Sequence, residues 1–242
     1  MKKLLFITCL FLSAAGCKKT HEIINNGITP NDLLSNRKYD KLIVEVQYMS
    51  GFIPTQEASD RIRQFLEQRL NKSGGIYIVY TSIPAEGRGA YSVEDIRKIE
   101  KENRTENTKG NTAAIYILFL DGDYAYNSGN SKVLGVAYEN SSVAIFEKTI
   151  RDYSGGIGEP QEFALEATVA DHELGHLFGL VNNGSPMEIS HEDPAHAHHC
   201  DNANCLMNHT VETSDIVGLL VGNTIPALDA NCIRDLQRNG GK

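Results

Sequence analysis

His172 and His176 stand four residues apart with Glu173 between them, in the pentad His172-Glu173-Leu174-Gly175-His176. Residues four apart on a helix project from one face, so the two imidazoles can bind one metal ion. Glu173 lies one step around the helix, beside such an ion, where its carboxylate can accept a proton from a metal-bound water. Two neutral imidazoles, a general base and an open coordination position are what metal-assisted peptide hydrolysis requires. A pair of buried histidines in an ordinary core helix would spell the same pentad, so the surrounding elements have to decide.

Those elements place the pentad in a sheltered helix. After Gly155, Gly156 and Gly158, Pro160 takes the first-turn position of a long helix reaching about Val181. Phe163, Ala167, Ala170, Leu174, Leu177 and Val181 recur in steps of four and three and define one buried stripe. Leu165, Val169, His172, His176 and Gly179 form a second stripe on roughly the opposite side, so the helix lies inside the protein. Upstream, strands are expected at 42–48, 76–80 and the unbroken apolar run 113–120, with helices over 55–70 and 92–103 between them. Strand–helix alternation implies crossover connections and parallel pairing. Strands over 133–138 and 142–146, joined by only Glu139-Asn140-Ser141, form a hairpin and hence an antiparallel pair. The fold class is therefore α/β with a mixed five-stranded sheet.

The stretch HELGHLFGLVN, 172–182, resembles the metzincin signature HExxHxxGxxH over its first eight positions. In that family the glycine turns the chain out of the helix so that a third histidine reaches the metal, which puts Gly179 in that role. The eleventh position here is Asn182, not His. Further on, His199-Cys200, Cys205 and Met207 match the archaemetzincin tail H-C-x4-C-x-M, after an extra loop over 183–198. The resemblance implies that the loop is an insertion, that His199 is the third zinc ligand and that Met207 is the methionine beneath the metal. His191 and His196, within the loop, compete with His199 for that place. It also implies a zincin-like upper lobe at 41–181, and a smaller irregular lower lobe at 182–242 ending in a helix over 225–237. The edge strand Leu134-Gly135-Val136-Ala137 would hold an extended peptide through its backbone. Archaemetzincins close a second, structural zinc site with four cysteines. Cys200, Cys205 and Cys232 supply three here, with Asp235 at the fourth position, so a Cys3Asp zinc site and a disulfide are both open.

The N-terminus has a basic start, an apolar run from Leu4 to Ala15 and then Gly16-Cys17, as expected of a secretory signal peptide over 1–16. Ser13-Ala14-Ala15-Gly16-Cys17 resembles a bacterial lipobox, which implies lipidation of Cys17 and a place in the cell envelope. Residues 17–40 read as a polar tether. A net charge of −8 argues against nucleic-acid binding. The expected protein is thus a monomeric zinc peptidase tethered to a membrane, with a peptide or protein as substrate. A non-catalytic zinc-binding lipoprotein is the rival reading, and a site completed by Glu188, Glu192 or Glu212 instead of histidine is a third.

Overall fold

The computed structural model describes residues 27–220 and 222–242. In chain order the elements are α1 (Pro30–Leu34), β1 (Lys41–Met49), α2 (Gln56–Arg69), β2 (Ile76–Ile83), β3 (Ala90–Tyr91), α3 (Val93–Asn103), β4 (Thr112–Phe119) and β5 (Asp123–Tyr124). They continue with β6 (Gly135–Tyr138), β7 (Ser142–Ile145), α4 (Glu147–Asp152), α5 (Glu162–Leu177), two short 3-10 turns (His209–Glu212 and Ser214–Gly218) and α6 (Ala230–Arg238).

Five strands form one sheet in the order β2-β1-β4-β7-β6, parallel except for the last pair, while β3 and β5 make a separate two-stranded ladder. The mixed five-stranded sheet expected from the sequence is the one observed. Its central strand β4 is buried from Ala113 to Phe119, because one face carries α1, α2 and α5 and the other carries α3. Helix starts follow their caps: Thr55 Oγ1 accepts from Ala58 N at the head of α2, and Ser92 and Asp95 form a reciprocal capping box on α3. α5 packs on α2, with Phe178 just beyond its end stacked on Phe65 at 6.2 Å between ring centroids.

Three expectations change. The polar tether is not a tether from Gly27 onward: Thr29, Pro30 and Asp32 cap α1, and Leu33 and Leu34 are fully buried. The Lys72 ammonium holds the segment by donating to the carbonyls of Asp32, Ser35 and Tyr39 at 2.8, 2.6 and 2.8 Å. The helix expected from Pro160 to about Val181 starts at Glu162 and stops at Leu177, before the left-handed Gly179 (φ +84°). The final helix begins at Ala230 and not at 225, because Asp229 rather than Pro226 caps it: Cys232 N donates to Asp229 Oδ1 at 2.9 Å. The signal-peptide and lipobox residues, Cys17 among them, lie outside the described residues.

Candidate metal centre

α5 carries His172, Glu173 and His176 through the interior, with His172 fully buried and Glu173 nearly so. Each histidine ring is oriented by a backbone carbonyl. His172 Nδ1 donates to Leu206 O at 2.7 Å, His176 Nδ1 to Leu180 O at 3.1 Å, and His199 Nδ1 to Ala197 O at 3.0 Å. A carbonyl can only accept, so in each neutral ring the proton sits on Nδ1 and the lone pair on Nε2. The Nε2 atoms of His172 and His176 face each other at 3.1 Å, and His199 Nε2 has no hydrogen-bond partner. Three lone pairs therefore converge on one point with no proton among them, an arrangement that a cation satisfies. Burial, then the neighbouring His176, pushes the His172 pKa well down; burial and His199 bring His176 to about 4. These two rings are thus held in the neutral form that ligates metal.

The path of the chain explains how His199 reaches this point. Gly179 turns back so tightly that a Cβ there would collide with the Ser185 backbone nitrogen. Ser185 Oγ donates to Phe178 O at 2.6 Å and closes the turn. The loop that follows returns to where it began, with Val181 N donating to His198 O at 3.2 Å. Because its two ends meet, the loop adds length without displacing what comes next, and His199 arrives beside His172 and His176, with ring centroids 5.4 and 5.1 Å away. Asn182 points elsewhere and donates to Glu192 at 3.0 Å.

The other two imidazoles that competed for this place are occupied differently. His196 Nδ1 pairs with Asp193 at 2.7 Å and its ring stacks on His209, at 3.5 Å between centroids. His191 is buried in a second cluster with the three cysteines. Its Nδ1 lies 3.4 Å from Cys200 Sγ, and its Nε2 donates to Asp235 Oδ2 at 2.8 Å. Cys205 and Cys232 Sγ are 3.6 Å apart, far beyond the ~2.05 Å of a bonded pair, and all three thiols are free. Asp235 does not serve as the fourth donor: one of its oxygens takes His191 and the other accepts from Glu188 N at 2.8 Å. Contacts among the three thiols lower the Cys205 pKa and raise that of Cys232, as for a thiolate sharing its neighbours' protons. Nothing local to either residue points to the His191–Asp235 pairing, because the partners are 44 residues apart.

Glu173 sits where α5 meets the edge strand. Ala137 N–H donates to its carboxylate, but Oε1 is buried with no partner. Burial, and after it the charge of Glu212, raises the Glu173 pKa well above the usual carboxylate range. β6 comes this close because residue 135 has no side chain: a Cβ on Gly135 would sit 2.6 Å from Val169 Cγ1 and 2.9 Å from Glu173 Oε1. Gly135→Ala is expected to cost about 1–3 kcal/mol by overpacking, read as a lower denaturant midpoint. Met207 is fully buried beneath α5, its sulfur against Gly175. Val136 and Ala137 of the edge strand, His198, His199, Glu173 and Glu212 line an open cleft of about 250 Å³. Glu212 was weighed from sequence only as a substitute for the third histidine. Its carboxylate instead joins all three, each donor atom within 4.8 Å of the others.

Neither a protein-family model nor a curated protein sequence matches the chain. Solved structures do. The archaemetzincin of Methanopyrus kandleri superposes with a TM-score of 0.53 at 18% identity, over 83% of this chain and 96% of that one. A zinc-dependent peptidase of Methanocorpusculum labreanum is 15% identical, with a TM-score of 0.48 over 80% of this chain and 99% of its own. Metalloproteinase-II of Bacteroides fragilis is 17% identical, with a TM-score of 0.45 over 85% of this chain and 54% of its own. On the first of these likenesses, the chain has an archaemetzincin-like zincin fold.

Proposed function

We propose that the protein is a zinc-dependent peptidase. The observation that carries this reading is the convergence of three Nε2 lone pairs beside an unpartnered, buried Glu173 oxygen. His172, His176 and His199 would hold the ion, and Glu173 has no place in a site that only stores metal. Bound zinc supplies acidified water and a Lewis acid for the scissile carbonyl. Glu173 takes the proton of the attacking water and passes it to the leaving amine. Ala137 N–H fixes the carboxylate during both transfers. β6 ends the sheet, so its outer edge can hold the substrate as an added strand, with the cleft receiving side chains.

A second zinc belongs to the same proposal, held by Cys200, Cys205, Cys232 and His191. A tetrahedral ion with Zn–S near 2.3 Å and Zn–N near 2.0 Å sets neighbouring donors about 3.5–3.8 Å apart. Cys205 and Cys232 Sγ are 3.6 Å apart and Cys200 Sγ is 3.4 Å from His191 Nδ1, while His191, Cys200, Cys232 and Asp229 all lie within 4.8 Å of one another. Asp235 fixes the histidine tautomer from its far side, as an outer carboxylate does in many zinc sites. Asp229, whose Oδ2 lies 3.5 Å from Cys200 Sγ, is the rival fourth donor, but its other oxygen caps α6.

Lipidation at Cys17, an envelope location, a monomeric state and a division into lobes at 41–181 and 182–242 complete the proposal. No helix among the described residues is long and apolar enough to cross a membrane. The test is digestion of a mixed peptide library. Cleavage that stops with a chelator and returns with zinc supports the assignment. A folded, zinc-loaded protein that cleaves nothing would favour the zinc-binding lipoprotein instead.

A further inference from the structure

Catalytic zinc sites keep one coordination position free, whereas closed sites offer four protein donors. This site offers four. Glu212 Oε2 lies 3.5 Å from His199 Nε2, and its carboxylate falls within 4.8 Å of the ligating nitrogens of His172, His176 and His199. A tetrahedral ion bound at about 2.0–2.1 Å to nitrogen and oxygen sets its donors about 3.3–3.4 Å apart. The 3.1 Å between His172 and His176 and the 3.5 Å between His199 and Glu212 bracket that value. Glu212 also makes a long polar contact with His199, and what points to a shared ion is that its carboxylate lies within reach of all three ligating nitrogens rather than of His199 alone.

The backbone of Glu212 is fixed. Its carbonyl accepts from Leu134 N at 2.8 Å, Ser214 N donates to Lys132 O at 2.7 Å, and Thr213 bridges to Val133. Only the side chain is free to leave. It has somewhere to go, since it is 37% exposed and borders the 250 Å³ cleft.

We propose that Glu212 is a fourth protein ligand of the zinc, closing the site at rest, so that water and substrate gain the metal only when its side chain swings into the cleft. This rests on the zinc-peptidase reading of the three-histidine site. It gives the short turn at 209–212 a function, which is to hold the enzyme latent until a substrate on the edge strand displaces one carboxylate.

The experiment replaces zinc with Co2+ in the wild-type protein and in Glu212→Ala and Glu212→Gln, and titrates each with acetohydroxamate as a metal-seeking probe. The visible spectrum of cobalt reports its ligands whether or not peptides are cleaved. Both variants are expected to shift the spectrum, bind acetohydroxamate at least about tenfold more tightly, and hold zinc at least about tenfold more weakly. Glu212→Gln keeps the side chain's size, so it also reports if the alanine variant folds poorly. Unchanged spectra with equal acetohydroxamate affinity in a metal-loaded wild type and both variants would overturn the proposal and leave the peptidase reading standing. A folded wild type that takes up no cobalt or zinc would overturn both.

Discussion

Glu173→Gln is expected to lower kcat for peptide hydrolysis by roughly 10²–10⁴-fold, the usual worth of a positioned general base. The variant should keep its zinc, because the three ligating nitrogens come from other residues. Glutamine has nearly the same shape and can still accept from Ala137 N–H, so the helix and the edge strand should stay in register. It cannot take a proton, and it gives up the carboxylate charge with it. Steady-state kinetics on a peptide substrate, beside the zinc content of the same sample, checks both halves. An unchanged kcat at full zinc occupancy would remove Glu173 from the chemistry. A fall in kcat matched by a fall in zinc would make it a structural support for the site.

Cys232→Ala should have the largest effect on stability. With the second zinc bound as proposed, it is expected to reduce zinc from two ions to one per chain and to destabilise the fold by several kcal/mol. The ceiling is the ~10–16 kcal/mol that structural zinc supplies to isolated zinc-finger peptides. The loss should exceed what removing one small buried side chain costs, since Cys232 is fully buried where α6 meets the loop after His199. His191→Ala should also lose the second ion. Asp235→Asn should retain it about 10–100-fold more weakly, as when an outer-shell partner is removed. Metal analysis and denaturant unfolding of the three variants separate these outcomes. A wild type carrying one zinc, with an intact mass two hydrogens short, would replace the metal by a Cys205–Cys232 disulfide.

The sheet was legible in the sequence chiefly through the unbroken apolar run 113–120, which sits at its centre because a strand covered on both faces must be apolar throughout. α1 was not legible: two leucines among Asn, Asp and Ser carry no period, and its anchor, Lys72, lies far along the chain. The start of α6 was misread because proline and aspartate both open helices, and the backbone chose the one whose side chain could cap Cys232 N. Within the site, the pentad spelled out two imidazoles and a carboxylate at once, since helical geometry alone relates them. Nothing in residue type separates His191, His196 and His199. What separates them is that the loop ends meet at Val181 and His198, a tertiary fact. The convergence of Glu212 and the pairing of His191 with Asp235 are likewise products of the folded chain.

His199 and Cys200 are neighbours in sequence, yet their side chains enter different clusters. On the proposed assignment one peptide unit bridges two ion sites, and neither can slacken without moving the other. A copy that left its fold short of zinc would then be doubly handicapped, unable to hydrolyse anything and loosely enough tied at its C-terminal end to be degraded. Metal supply would in this way set how many competent molecules persist, and defective ones would be cleared by the same shortage that made them.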